Sequence, residues 1–436
     1  MTSYHSPHPV ELLQALIRFN TTNPPGNEAE AIHYLARHLR QAGIPVQVLG
    51  RDKHRLNLVA RLAGRGEAPP LMLEGHIDVV STAGQAWTHP PFGGEIIGDE
   101  VWGRGALDDK GAVAVMTSAL LRAQAEGLRP PGDLLLVVVA DEEVGGEYGA
   151  RHLVEHHADL FADVRYAIGE GGGFAIRMAG HKFYPIMVAE KHICGVRVIL
   201  RGPAGHGAVP IHGTAMAKLG AVLRRLDRSR LPVHITPVTR QMLTAIQAAL
   251  PFPQGAVLGA LRYPTLTDPI LDLLGEQGKQ INPLLHNTFT PTIVRGGEKI
   301  NVIPGEITLD LDGRLLPGFD ATTALPELQA LLGDDVTLEV LSEDADVPAA
   351  DLDRYETLAA LIREADPAGT PLPFMVGGAT DARHFARLGI QMYGFVPFDL
   401  PDGLLDTIHA ADERVPVAAV EQGAEIIYRL LTRFPG

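Results

Sequence analysis

Four short, predominantly apolar runs constrain this chain more than any other feature. They are LNLVARL at 56–62, PLMLEG at 70–75, LLLVVVA at 134–140 and VRYAIGE at 164–170. A strand with one solvated face alternates apolar and polar residues, whereas a strand apolar along its length is covered on both faces, as in a parallel sheet between helices. Segments of helical length separate the runs. GAVAVMTSALLRAQAEG at 111–127 repeats apolar residues at helical spacing and ends on a glycine suited to a helix stop. This alternation predicts an α/β layered domain over the first ~190 residues.

The middle of the chain reads differently. HICGVRVILRG (192–202) reads as a strand and GTAMAKLGAVLRRLD (213–227) as an amphipathic helix. NTFTPTIVRGG (287–297) and GEITLDLDGRLL (305–316) alternate as half-exposed antiparallel strands do. ATTALPELQALLGD (321–334) is helical in pattern and VTLEVLSED (336–344) strand-like, which completes a split β-α-β-β-α-β order. Residues 229–286 interrupt it as a helical, proline-punctuated insertion. A chain of 436 residues exceeds a single core. We therefore expect a first domain at 1–191, an inserted domain at 192–346, and a return to the first at 347–436, with DVPAADLD (346–353) marking the junction.

Composition excludes several functions. A net charge of −15 disfavours nucleic acid or an anionic membrane as partner, while leaving room for small anionic substrates at a locally basic site. The single cysteine, Cys194, excludes an intrachain disulfide and reads as a small packing residue. The opening MTSYHSPHPVELLQALIRFN lacks a basic segment followed by an apolar stretch. No apolar run approaches the about 18 residues of a membrane span, so a cytoplasmic protein is expected.

The chemistry gathers where apolar runs end. PLMLEG leads into His76 and Asp78, LLLVVVA into Asp141, Glu142 and Glu143, and VRYAIGE ends in Glu170; IQMYGFVPF (390–398) precedes a loop with His409. In open α/β sheets ligands bind outside the carboxyl ends of the strands. Any one of these features is ordinary: an acid pair caps a helix, a His-x-Asp is a surface pair. Their collection at one sheet edge points to a metal site. Side chains at i and i+2 of an extended segment share a face, so Asp78 can hold the His76 ring, as carboxylates behind metal-bound imidazoles do. Glu142 and Glu143 point apart, so one ligates while the other serves as general base. Two histidines with three carboxylates suit a pair of borderline divalent ions, zinc first, with cobalt or manganese as alternatives. A bridging carboxylate lets two such ions share one hydroxide, the arrangement of two-metal hydrolysis. The remaining question is GRGALDDKGAV (103–113), where Asp108 and Asp109 stand side by side.

These motifs, GHIDVV, GRGALDDKG, ADEEVGG, RGPAGHGAVP, NVIPG and HAADERV, resemble the di-zinc exopeptidase family of aminoacylase, carboxypeptidase G, acetylornithine deacetylase and succinyl-diaminopimelate desuccinylase. LLHNTFTPTIVRGGEKINVIPG and GGATDARHF resemble its carboxypeptidase S branch most. The resemblance implies a zinc-exopeptidase-like α/β catalytic domain with an inserted ferredoxin-like βαββαβ lid and dimerisation domain. It aligns Asp108 with the bridging ligand, leaves Asp109 at a variable, incidental position, and implies a cis peptide between them. One ion falls to His76, Asp108 and Glu170, the other to Asp108, Glu143 and His409. Glu142 becomes the general base and Asp78 the orienter of His76. His206 matches a residue that polarises the substrate carbonyl, reaching across a homodimer. Asn301 and Arg314 match substrate contacts, and Arg383 lies in a tract near the substrate.

The expected reaction is hydrolysis of an amide bond beside a free carboxylate, in a dipeptide or N-acyl amino acid, by a hydroxide shared between two zinc ions. A non-catalytic metal-dependent binding protein of the same fold competes, but a binder has no use for Glu142. A nucleotide-binding module resting on GEGGGF (169–174) lacks the required glycine spacing and following helix.

Overall fold

The computed structural model describes residues 6–344 and 350–434. The chain forms two compact units, one of Met1–Val188, Asp351–Phe374 and Thr380–Gly436, the other of Ala189–Ala350 and Met375–Ala379. The junction expected at 346–347 lies outside the described residues.

The first unit is built on a nine-stranded sheet. Its spatial order is Val46–Asp52, Arg55–Leu62, Leu134–Val139, Leu71–His76, Tyr166–Gly169, Gln391–Gly394, His181–Glu190 and Thr370–Val376, with Ile176–Met178 hairpinned onto His181–Glu190. Leu71–His76 runs parallel to Leu134–Val139 and to Tyr166–Gly169, which in turn pairs in parallel with Gln391–Gly394. The sheet is mixed rather than parallel. Arg55–Leu62 is antiparallel to both neighbours because a hairpin at Asp52/Arg55 reverses the chain. Its apolar run reports coverage on both faces, not strand direction: helix Ala29–Gln41 packs against it. The strand expected at 390–398 is also shorter, ending at Gly394.

Helix Lys110–Ala125 crosses one face of this sheet and packs against helices Pro9–Arg18 and Val417–Arg433. Apolar nearly all round, it is buried nearly all round, as an internal helix must be. The chain turns out of it at Gly127, whose φ of +70° favours a residue without Cβ. On the other face Leu135, Val137 and Val139 meet Leu153, Phe161, Phe385 and Met392. Two-sided coverage leaves the strand ends as the accessible edge. His76, Val139, Gly169 and Gly394 finish parallel strands, so the residues that follow them collect there.

The second unit holds a four-stranded antiparallel sheet ordered Thr288–Arg295, Glu306–Leu315, His192–Arg201, Val336–Glu343. Helices Ala215–Arg228 and Ala321–Leu332 bury Val196, Val198, Leu200, Leu309 and Leu311 with Leu328 and Val222. The order is that of a ferredoxin-like sandwich, and Cys194 is a free, buried member of its core. The insertion forms helices Pro237–Ala249, Gln254–Ala260, Pro264–Leu274 and Glu276–Ile281. Among the described residues no helix is long and apolar enough to cross a membrane.

Leu136 lies in the strand Leu134–Val139 and is fully buried. Leu136→Ala should cost about 2–5 kcal/mol, read as a lower urea midpoint at unchanged slope. Leu273→Ala, at a site 78% exposed, should leave the midpoint within about 0.5 kcal/mol.

Candidate metal centre

At the carboxyl edge of the sheet in the first unit, one carboxylate faces two imidazoles. Asp108 Oδ1 lies 2.9 Å from His76 Nε2, and Oδ2 of the same residue lies 3.0 Å from His409 Nε2. Glu170 Oε2 stands 3.8 Å from His76 Nε2, and Glu143 Oε2 stands 3.3 Å from His409 Nε2. His76, Asp108 and Glu170 thus form one set of converging ligand atoms, and Asp108, Glu143 and His409 a second, sharing Asp108. The donors fit a borderline divalent ion: each set mixes imidazole and carboxylate. Glu143 Oε1 is moreover buried with no hydrogen-bond partner. The charge balance agrees. Hydrogen bonds to Asp108 and Glu143 push His409 up to about 10, so these carboxylates supply a field that holds a cation. Burial works against ionisation of Asp108, yet its bonds to His409 and His76 outweigh it and keep the carboxyl well below the ordinary range.

Each ligand is fixed by its backbone setting. The strand ends at His76, and the ring Nδ1 lies 3.0 Å from the main-chain oxygen of Asp78 and 3.5 Å from its carboxylate. Asp78, the expected orienting residue, thus meets the His76 ring with both its main-chain oxygen and its carboxylate. The Asp78 carboxylate is itself held in place by further donors. It accepts from the backbone N–H groups of Glu142 and Glu143 and from Asn23 Nδ2. Asn23 also donates to Asp141, which accepts from Arg55 and from Tyr148 N. Asp141 has a φ of +72°, uncommon for a residue with a side chain. Held this way, it turns the chain into the short 3₁₀ segment Glu142–Val144. Glu142, on this turn, is pushed up to about 7, first by burial and then by the carboxylates of Glu143, Asp108 and Asp78, against the lowering effect of His76.

Asp109 is not the incidental neighbour expected. It is 1% exposed, its Oδ2 accepts from His76 N at 3.3 Å, and burial raises its carboxyl well above the ordinary value. A Cβ at Gly75 would lie 2.6 Å from that oxygen, so the approach requires glycine there. The peptide between Asp108 and Asp109 is cis, as the resemblance implied.

Sequence reasoning missed Glu413. Fully buried, its Oε1 accepts from Leu107 N and Asp108 N, and its Oε2 from Gly105 N and Arg104 Nη1. It ties the loop bearing Asp108 to the segment bearing His409. Its presence in HAADERV, four residues after His409, was the available signal.

Arg383 lies in helix Ala382–Ala386 of the first unit, half-buried, and its guanidinium flanks Gly145 just beyond the Glu142–Val144 turn. The other expected residues belong to the second unit. His206 is exposed on the two-residue strand Gly205–His206, opposite Val302, and the carbonyl of the exposed Asn301 accepts from Gly207 N. Arg314 is engaged by Asp312 at 2.9 Å.

With this geometry in place, comparison with known proteins defines the class. The model of Peptidase family M20/M25/M40 matches residues 72–433, and the chain belongs to that family of metallohydrolases. The N-fatty-acyl-amino acid synthase/hydrolase PM20D1 of Xenopus tropicalis is 28% identical over 83% of this chain and 72% of its own length. Aminoacylase-1 of Sus scrofa is 26% identical over 98% and 95%. Among solved structures, the M20 family metallo-carboxypeptidase Sso-CP2 of Sulfolobus solfataricus superposes with a TM-score of 0.68 at 16% identity, covering 98% of this chain and 99% of its own. The Bacillus subtilis YXEP protein, titled a dinuclear metal binding peptidase of the M20 family, gives 0.58 at 15% identity over 97% of each chain.

Two substitutions separate the neighbouring aspartates. Asp108→Ala should abolish loading of both ions, measured by mass spectrometry of the metal content. Asp109→Asn retains an acceptor for His76 N and should leave the metal content unchanged.

Proposed function

We propose that this enzyme hydrolyses an amide bond next to a free carboxylate, in a dipeptide or an N-acyl amino acid. The observation that carries the reading is Asp108, whose two oxygens each face a different histidine. In this reading His76, Asp108 and Glu170 hold one divalent ion and Asp108, Glu143 and His409 the other, zinc foremost, with cobalt or manganese as alternatives. Bound there, the pair would polarise the scissile carbonyl and lower the pKa of the attacking water.

Glu142 removes the proton as the water oxygen bonds to the carbonyl carbon. It returns that proton to the nitrogen as the C–N bond breaks. Its position on the Glu142–Val144 turn, beside the proposed ligand Glu143, suits both tasks. His206 donates to the developing oxyanion, where a placed donor contributes most. Arg314 or Arg383 holds the substrate carboxylate through paired hydrogen bonds, with Asn301 as a further contact. The names of PM20D1 and aminoacylase-1 support the N-acyl amino acid class.

His206 lies in the second unit, exposed on the short strand Gly205–His206, and we assign it to the active site of a partner subunit in a homodimer. Exposed apolar residues in the same unit support this: Val302, opposite His206, is 48% exposed and Ile300 105%, and Ile293 and Val294 on Thr288–Arg295 are 45% and 52% exposed. Thr288–Arg295 is an edge strand of its sheet. We place the enzyme in the cytoplasm, consistent with a free Cys194.

Glu142→Gln should keep both ions and lower turnover by about 100-fold or more, followed on dipeptides and N-acyl amino acids. Loss of metal with Glu142 would instead reverse the roles of Glu142 and Glu143. Mixing Glu142→Gln with His206→Ala chains should restore about a quarter of wild-type activity after random exchange, since half the dimers are mixed and each has one intact site. No recovery despite exchange would mean that His206 acts within its own subunit or not at all.

A further inference from the structure

Helix Ala150–His156 ends in a run of imidazoles that the metal centre does not use. His152 and His156 are four residues apart and therefore share a face, and His157 follows at the C-cap. The ring centroids of His152 and His156 are 4.9 Å apart, and those of His152 and His157 are 5.4 Å apart. Two imidazoles on one tetrahedral ion, each with a metal–nitrogen distance of about 2.1 Å, have centroids about 5 Å apart. Both separations match.

His152 is 9% exposed, and its Nδ1 has no hydrogen-bond partner. Buried ring nitrogens ordinarily have one. Burial, then the neighbouring His156 and His157, hold this imidazole below its ordinary value, which favours the neutral form that ligates metals. The surrounding charges are already paired: Glu155 with Arg151 and Arg387, Arg51 with Glu147. Among the described residues only the two sets around Asp108 converge fully, so closing a third set requires the rings of His156 and His157 to turn. His156 is exposed and His157 half-buried.

We propose that His152, His156 and His157 form a separate binding site for a borderline divalent ion, Zn²⁺ foremost, with water as the remaining ligand. The i, i+4 pair supplies two nitrogens from one helix face, a spacing metal-binding helices use, and His157 supplies the third. Such an ion would cross-brace the end of the helix that follows the Glu142–Val144 turn.

The test counts ions. Wild type and the His156→Ala/His157→Ala variant are equilibrated with the same buffered excess of Zn²⁺ and analysed by mass spectrometry, with thermal melts to verify folding. His156→Asn/His157→Asn serves as a second variant if the first melts early. The wild type should hold about one ion more than either variant. The comparison is repeated in an Asp108→Ala/His409→Ala background, where the same difference of one should persist with the catalytic sets removed. That arm separates this proposal from the two-ion reading of the active site. Equal counts with and without the two histidines would overturn it.

Discussion

A buried carboxylate with no catalytic task sets the geometry on which the rest depends. Glu413 gathers three backbone N–H groups and the Arg104 guanidinium, and so closes the loop from Gly105 to Asp108 against the segment that starts at His409. Without an acceptor there, three buried N–H donors would lose their partner, a penalty of about 1–3 kcal/mol for each, and the Arg104 guanidinium would keep only the neutral acceptors Gln85 Oε1 and the Ala410 carbonyl. The consequence reaches function directly. Asp108 and His409 are 301 positions apart in the chain, and this side chain, with the bonds of Arg104 to the Ala410 carbonyl and of Gln85 to the His409 carbonyl, ties their segments together.

The opposite wall of the site is organised by the same physics. Asp78, Asp141, Asn23 and Arg55 form a continuous hydrogen-bonded chain in which each polar group has a partner. Its product is the turn that carries Glu142 and Glu143. Around Asp108, by contrast, carboxylates crowd together and one oxygen of Glu143 has no partner. A hydrogen-bonded support at the Asp78 wall and a surplus of acceptors around Asp108 is the pattern of a rigid site built for cations.

How much of this was legible depended on what each residue does. His76, Glu143, Glu170 and His409 stood out because acids and imidazoles after buried strands have few other reasons to be there. The βαββαβ order of the second unit was readable from alternation and helical spacing alone. Glu413, Arg104 and Asn23 were not, because they act on main-chain groups or side chains far away in sequence, and a motif position carries no mark of such a bond. Asp78 was read as a side-chain partner of His76, and its carboxylate does lie 3.5 Å from the ring; the closer contact, made by its carbonyl at 3.0 Å, carries no mark in the sequence. Asp109 was misjudged for a related reason. A variable position in a motif need not be a solvated one, and here it lies beneath the strand end against Gly75.

The central claim is that Asp108 joins two ions. Diffraction from zinc-loaded crystals, with anomalous differences collected on both sides of the zinc edge, tests it most directly. The account predicts two zinc peaks flanking Asp108, one bound by Oδ1 with His76 and Glu170, the other by Oδ2 with Glu143 and His409. A single peak, or two peaks of which only one touches Asp108, would contradict it.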